Sequence, residues 1–124
     1  MTPPTLPEFI LARVAEDEDM AWDAIEGDYK RRARWYEVDE DGDILPMLGI
    51  NGTWTLTSAE HAARHDPTRV LAQCAAIRAV VELHSYDDPD ACYSCREVPP
   101  CLTLRHLAAI WADHVEYRKE WAAG

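Results

Sequence analysis

Positive charge is what this chain has least of. Lysine and arginine number 12 against 23 aspartates and glutamates in 124 residues, a formal net charge of −11. General binding to nucleic acid or to an anionic membrane needs the opposite sign, so neither is expected. A basic protein partner suits such a chain, as does mimicry of DNA's own charge. Long apolar runs are also missing, since no segment approaches the roughly 20 apolar residues of a membrane span. The stretch MTPPTLPEF has neither the basic nor the apolar region of a secretory signal. The expected compartment is therefore the cytoplasm, where thiols are kept reduced. There is no phosphate-cradling glycine loop, no nucleophile elbow, no internal repeat and no low-complexity linker. At this length one domain, residues 1–124, is expected.

Cysteine is present and clustered. Cys92-Tyr93-Ser94-Cys95 is followed by Cys101, and His84 lies upstream. In a reducing compartment close thiols favour metal over disulfides. Two close cysteines can clamp one ion, a third can close the loop, and an imidazole completes the four-coordinate shell that zinc takes. Three unconnected thiols are the first competing reading; a redox dithiol at Cys92 and Cys95 is the second, but such a pair usually opens a helix. Here it lies among prolines and acidic residues. The fourth ligand is the open point. His84 is preferred, because it ends the apolar stripe of its helix. His106 comes second, since five helical residues beyond Cys101 turn it about 500° away. Asp90 comes third. The predicted metal set is therefore His84, Cys92, Cys95 and Cys101 with zinc. Cys101 falls at a helix start, where backbone N–H groups favour a thiolate. Cys74 lies mid-stripe and reads as core.

The remaining pattern is α+β. Thr5-Leu6-Pro7-Glu8 reads as a capping box with proline at the first helical position. It predicts a helix from about Pro7 to Glu26, with Ile10, Val14, Ala21 and Ile25 on one face. Glu16 to Asp19 forms a solvated face, and Gly27 and Asp28 end the helix. A three-stranded antiparallel meander follows, with strands at Arg34–Val38, Ile44–Ile50 and Thr53–Leu56. Asp39–Asp43 and Asn51-Gly52 supply the turns, and Pro46 marks an edge strand. A short helix runs from Thr57 through His65. Asp66-Pro67 starts another that reaches about His84, with Val70, Cys74, Ile77, Val81 and His84 in one stripe. The cysteine loop precedes a helix at Leu102–Trp111 and a last turn from Asp113 to Trp121. The C-terminal helices are thus arranged around a zinc-tied loop.

Three further clusters carry weaker signals. His61 and His65, four apart beside Asp66, could share a metal. They lack the glutamate that follows the first histidine in metalloproteases, and a capped helix with partly exposed histidines is the plainer reading. Asp39, Asp41 and Asp43 fit the first positions of a calcium loop. Ile44 and Ile50 then stand where glycine and glutamate are required, so a hairpin turn is expected. Lys30 to Arg34, with Trp35 and Tyr36, could bind a single strand, but pairing with the acidic first helix is expected instead.

Four blocks resemble a known family in the right order: Phe9 to Glu18, Glu60 to Leu71, Val81 to His84 with the cysteine loop, and Cys101 to Trp121. They are similar to a family of small proteins from actinobacteria and their phages, a domain of unknown function. Members often carry proline where this chain has Val115. Some lack the close cysteine pair, which would make the metal a stabiliser. The resemblance implies origin and compartment and assigns no activity. The expected role is a small cytoplasmic accessory or interaction protein with a structural zinc and no catalytic residues. Its partner is a protein, a host protein if the chain is phage-encoded; Trp111, Tyr117 and Trp121 are candidate contacts, although core is the plainer reading of all three. A metal-dependent hydrolase or nuclease using His61 and His65 is the first alternative, and an acidic DNA mimic the second.

Overall fold

The computed structural model describes residues 2–27, 31–47, 56–84, 91–92 and 94–122. The elements are α1 (Leu6–Gly27), β1 (Tyr36–Val38), β2 (Ile44–Pro46), α2 (Leu56–Arg64), α3 (Pro67–Leu83) and α4 (Leu102–Ala108). Single 3-10 turns follow at Ala109–Trp111 and Lys119–Trp121. The class is mixed α+β. Two compact units are formed, one from Met1–Glu16 with Cys74–Gly124, the other from Asp17–Gln73.

In the first unit, Thr5 caps α1. Its Oγ1 accepts the Glu8 N–H at 3.3 Å and donates to the Glu8 carboxylate at 2.8 Å. This is a variant of the expected capping box, with the glutamate bonded to the hydroxyl of the cap. Leu6, Phe9, Ile10, Arg13 and Val14 are all buried. They fall at i, i+3, i+4, i+7 and i+8, one helical face. Phe9 is the centre of an aromatic cage, with ring centroids 5.6 Å from His114, 6.0 Å from Tyr117 and 5.2 Å from Trp121. Tyr117 and Trp121 are therefore packing residues of this cage. Arg13 lies over the Phe9 ring at 5.3 Å. Only 6% exposed, it bonds Glu16 at 3.0 Å and His114 Nδ1 at 2.9 Å, and lies 3.7 Å from Glu116. A buried cation needs such partners. Cys74 is buried as expected, and its thiol donates to the Val14 carbonyl.

In the second unit, β1 and β2 pair antiparallel, with Tyr36 opposite Pro46, Glu37 opposite Leu45 and Val38 opposite Ile44. Among the described residues the sheet has these two strands, and the third strand of the expected meander is not among them. Of the third strand predicted at Thr53–Leu56, residues 53–55 lie outside the described residues, and Leu56 opens α2 instead. The Asn51-Gly52 turn also lies outside them. The Asp39–Asp43 turn forms as expected, because Asp39 Oδ1 accepts the N–H groups of Asp41 and Asp43 at 3.0 and 2.8 Å. Gly42 takes φ 85°, which a side chain would disfavour. Arg34 stacks on Tyr36 and Arg32 reaches the Met47 sulfur, so these two basic side chains serve the hairpin.

Asp66 joins this hairpin to α3. It is fully buried. Its Oδ1 accepts the Arg69 N–H at 2.9 Å, the N-cap bond expected from Asp66-Pro67. Its Oδ2 accepts the Trp35 N–H at 3.2 Å. The Ala33 carbonyl accepts the Thr68 N–H at 3.1 Å beside it.

Candidate metal centre

Three short backbone devices in the first unit bring four donors together. His84 stands one residue past α3, its N–H shared between the Val80 and Val81 carbonyls at 3.1 and 3.2 Å. This frayed last turn frees the imidazole from the helix surface. Cys92 and Cys95 lie in a loop closed twice: Arg96 N–H donates to the Cys92 carbonyl at 2.9 Å, and Cys92 N–H to the Glu97 carbonyl at 2.8 Å. Arg96 makes the reversal at φ 59°, a left-handed conformation uncommon outside glycine, asparagine and aspartate. The Ser94 hydroxyl donates to the Leu83 carbonyl and fastens the loop to the end of α3.

Cys101 stands at the N-cap position of α4, and its carbonyl accepts the Arg105 N–H at 3.0 Å. Its side chain makes no cap bond. The expected stabilisation of its sulfur by the N–H groups of the helix start is therefore not the interaction formed. The sulfur turns to His84 instead, 3.5 Å from Nδ1. Cys92 Sγ lies at the same 3.5 Å from that nitrogen.

The ligand atoms of His84, Cys92, Cys95 and Cys101 all lie within 4.8 Å of one another. Zinc bond lengths of about 2.3 Å to sulfur and 2.0–2.1 Å to nitrogen place tetrahedral S and N ligands about 3.6 Å apart. The two measured separations match that edge. The cluster is geometrically compatible with one metal ion held by three sulfurs and one nitrogen. His106 is exposed on α4 and stands outside the set. Asp90 lies outside the described residues.

The electrostatics of the thiols point the same way. Burial pushes the Cys92 thiol up. It is outweighed by the N–H groups of Cys95 and Ser94 and by the Cys95 and His84 side chains, which hold Cys92 down at about 6. At Cys95 the Glu97 N–H acts to lower the value. Burial and the adjacent sulfurs of Cys92 and Cys101 prevail and raise it to about 11. Neighbouring sulfurs resist a second negative charge, so the first thiolate makes the next harder to form. A divalent cation cancels that repulsion and holds coordinated thiols deprotonated.

The other clusters offer less. His61 and His65 are exposed, with ring centroids 4.7 Å apart. Among the described residues no third donor completes a group with them. Asp66 beside them has both oxygens taken by backbone N–H groups. The carboxylates of Asp39, Asp41 and Asp43 do converge, but as parts of the hairpin turn, with Asp41 and Asp43 exposed.

Two supports of the metal loop have no plain signature in the residue pattern: the Ser94 tie to Leu83 and the left-handed Arg96. The buried Arg13 did have one, because it falls on the i+7 position of the apolar stripe of α1.

Comparison with known proteins gives one match. The model of the family of unknown function DUF6221 covers residues 3–123. Neither the curated proteins nor the solved structures hold a match.

Proposed function

The chain belongs to the DUF6221 family, and we propose that it is a small binding module whose cysteine loop is tied by one structural zinc ion. The carrying observation is the donor set itself. Three thiols and one imidazole converge within 4.8 Å. Four protein ligands fill a tetrahedral zinc shell, leaving no position for a water to be activated. In this reading the ion holds a surface in shape and performs no chemistry. Supporting it, the neighbours of the ligands are exposed aliphatics: Leu83 beside His84, Leu102 beside Cys101, and Val98 between Cys95 and Cys101. The partner is a protein, and the net charge of −11 suits a basic one. The resemblance to proteins of actinobacteria and their phages makes a host protein the partner to seek, in the cytoplasm.

The first test is metal content. Protein purified under reducing conditions without chelator is expected to carry one zinc per chain by elemental analysis, with only Cys74 outside the site. A metal-free preparation, folded and with all thiols of the loop reactive, defeats the zinc assignment. Capture from an actinobacterial lysate, run with loaded and chelator-treated protein side by side, then tests the module. A partner retained equally by both would separate binding from the metal.

A further inference from the structure

The four donors of the centre are not equally covered. Cys92 and Cys101 are buried to within 1%. Cys95 is only partly buried and is the least covered of the three cysteines. It is also in contact with both other sulfurs. Thiolate oxidation follows access as well as thiolate character. We propose that Cys95 is the oxidant-sensing corner of this centre: a peroxide oxidises it, a disulfide forms with Cys92, and the metal is expelled. The inference rests on the zinc reading above and adds its regulation.

The electrons and atoms balance. The metal-bound Cys95 thiolate attacks one oxygen of the peroxide, the O–O bond breaks, and hydroxide leaves, giving a sulfenic acid at Cys95. The Cys92 thiolate then attacks that sulfur and a second hydroxide leaves as the S–S bond forms. Two sulfurs have given one electron each, and the peroxide has taken both. Two ligands, Cys101 and His84, remain and cannot complete the zinc shell. Cys92 suits the resolving role because its backbone is already locked in the same loop. Arg96 N–H on the Cys92 carbonyl and Cys92 N–H on the Glu97 carbonyl hold the two ends of that turn together. The consequence is a surface that loosens on oxidation, since Leu83, Val98 and Leu102 are neighbours of ligands that have lost their ion.

The experiment uses the zinc-loaded protein and hydrogen peroxide, with released zinc read by a chromogenic chelator. Wild type is expected to release about one zinc per chain, and peptide mapping to find the Cys92–Cys95 disulfide. A sulfenic-acid trap should label Cys95 before Cys92 or Cys101. Reductant and added zinc should restore the starting state. Cys95→His keeps four ligands without the least covered thiol and is expected to release zinc roughly tenfold more slowly. Equal release from Cys95→His, or a trap that labels Cys92 or Cys101 first, overturns the inference. If Cys95→His does not load, the trap on wild type decides alone. Starting protein without zinc is a different failure, that of the metal reading itself, and shows before any peroxide is added.

Discussion

Cys101→Ala is expected to lower the melting temperature about as far as a strong chelator lowers that of the wild type, and the chelator should then do little more to the variant. The residue is well placed for the test. It stands at the N-cap position of α4, yet its side chain makes no cap bond, so no capping energy leaves with it. What leaves is one corner of the metal shell. Metal binding in such sites is folding free energy, on the order of 10 kcal/mol in small zinc peptides. Here a hydrophobic core of Leu6, Phe9, Ile10, Val14 and Leu104 remains, so only part of that sum is lost. A fall of roughly 3 kcal/mol, or about 10 °C, is expected. Differential scanning calorimetry with and without chelator reads it. A melting point that survives both the substitution and the chelator removes the structural role.

Acid should act through the same ligands, because they bind metal only when deprotonated. In the metal-free protein Cys92 has a folded value of about 6, below the ordinary thiol value. A depressed thiol stabilises the fold above its unfolded value. That contribution is lost as pH falls through about 6. Cys95, raised to about 11, runs the other way. Its contribution is complete below the unfolded value and is lost as pH rises towards 11. Binding of the ion overrides both by fixing all the sulfurs as thiolates.

The second large effect is expected at Asp66. Its two oxygens satisfy the N–H of Arg69 at the start of α3 and the N–H of Trp35 before β1. The sequence alone pointed to the first bond, worth about 1 kcal/mol. Burial of the carboxylate and the second bond raise that figure, because Asp66→Ala leaves two N–H donors without their acceptor. Each part-buried donor costs about 1–2 kcal/mol, so a loss of roughly 2–4 kcal/mol is expected. Asp66→Asn keeps one acceptor oxygen and should lose about half as much. His61→Ala and His65→Ala, at exposed positions, should stay within about 0.5 kcal/mol. Urea unfolding of the four variants tests the ranking. Metal-dependent hydrolysis lost in the histidine variants with stability intact would reverse it in favour of an enzyme.

The elements with strong local signals were legible. Thr5 marked the start of α1, which opens at Leu6 with the expected Pro7 as its second residue; Asp66 and Pro67 marked that of α3, and the stripe from Val70 to Val81 carried α3 to the right end. His84 was legible as the fourth donor for the same reason, since a residue closing an apolar stripe faces inward. Of the meander, the first hairpin is borne out among the described residues. Its first turn is written in Asp39 and Gly42, but the helical pattern of α2 takes Leu56 from the strand predicted to include it. Tyr117 and Trp121 read as core more plainly than as a partner surface, but the pattern alone did not decide. What decides is Phe9, more than a hundred residues away in sequence, and no local window contains it. Arg96 was illegible because its backbone conformation ordinarily asks for glycine.

The bond from Arg13 to His114 joins residues 101 apart in sequence, and the partners of Phe9 lie as far away. The second unit, Asp17–Gln73, is by contrast one continuous stretch. The order of synthesis therefore separates the two. The hairpin and the Asp66 junction are all present in the nascent chain before any member of the histidine–cysteine cluster has been made. The first helix by then has a complete apolar face, while His114, Tyr117 and Trp121, which pack on Phe9, are still to be made. Closing so long a separation is slow and entropically costly. During that interval the face of Leu6, Phe9, Ile10 and Val14, buried in the finished fold, is open to misassociation.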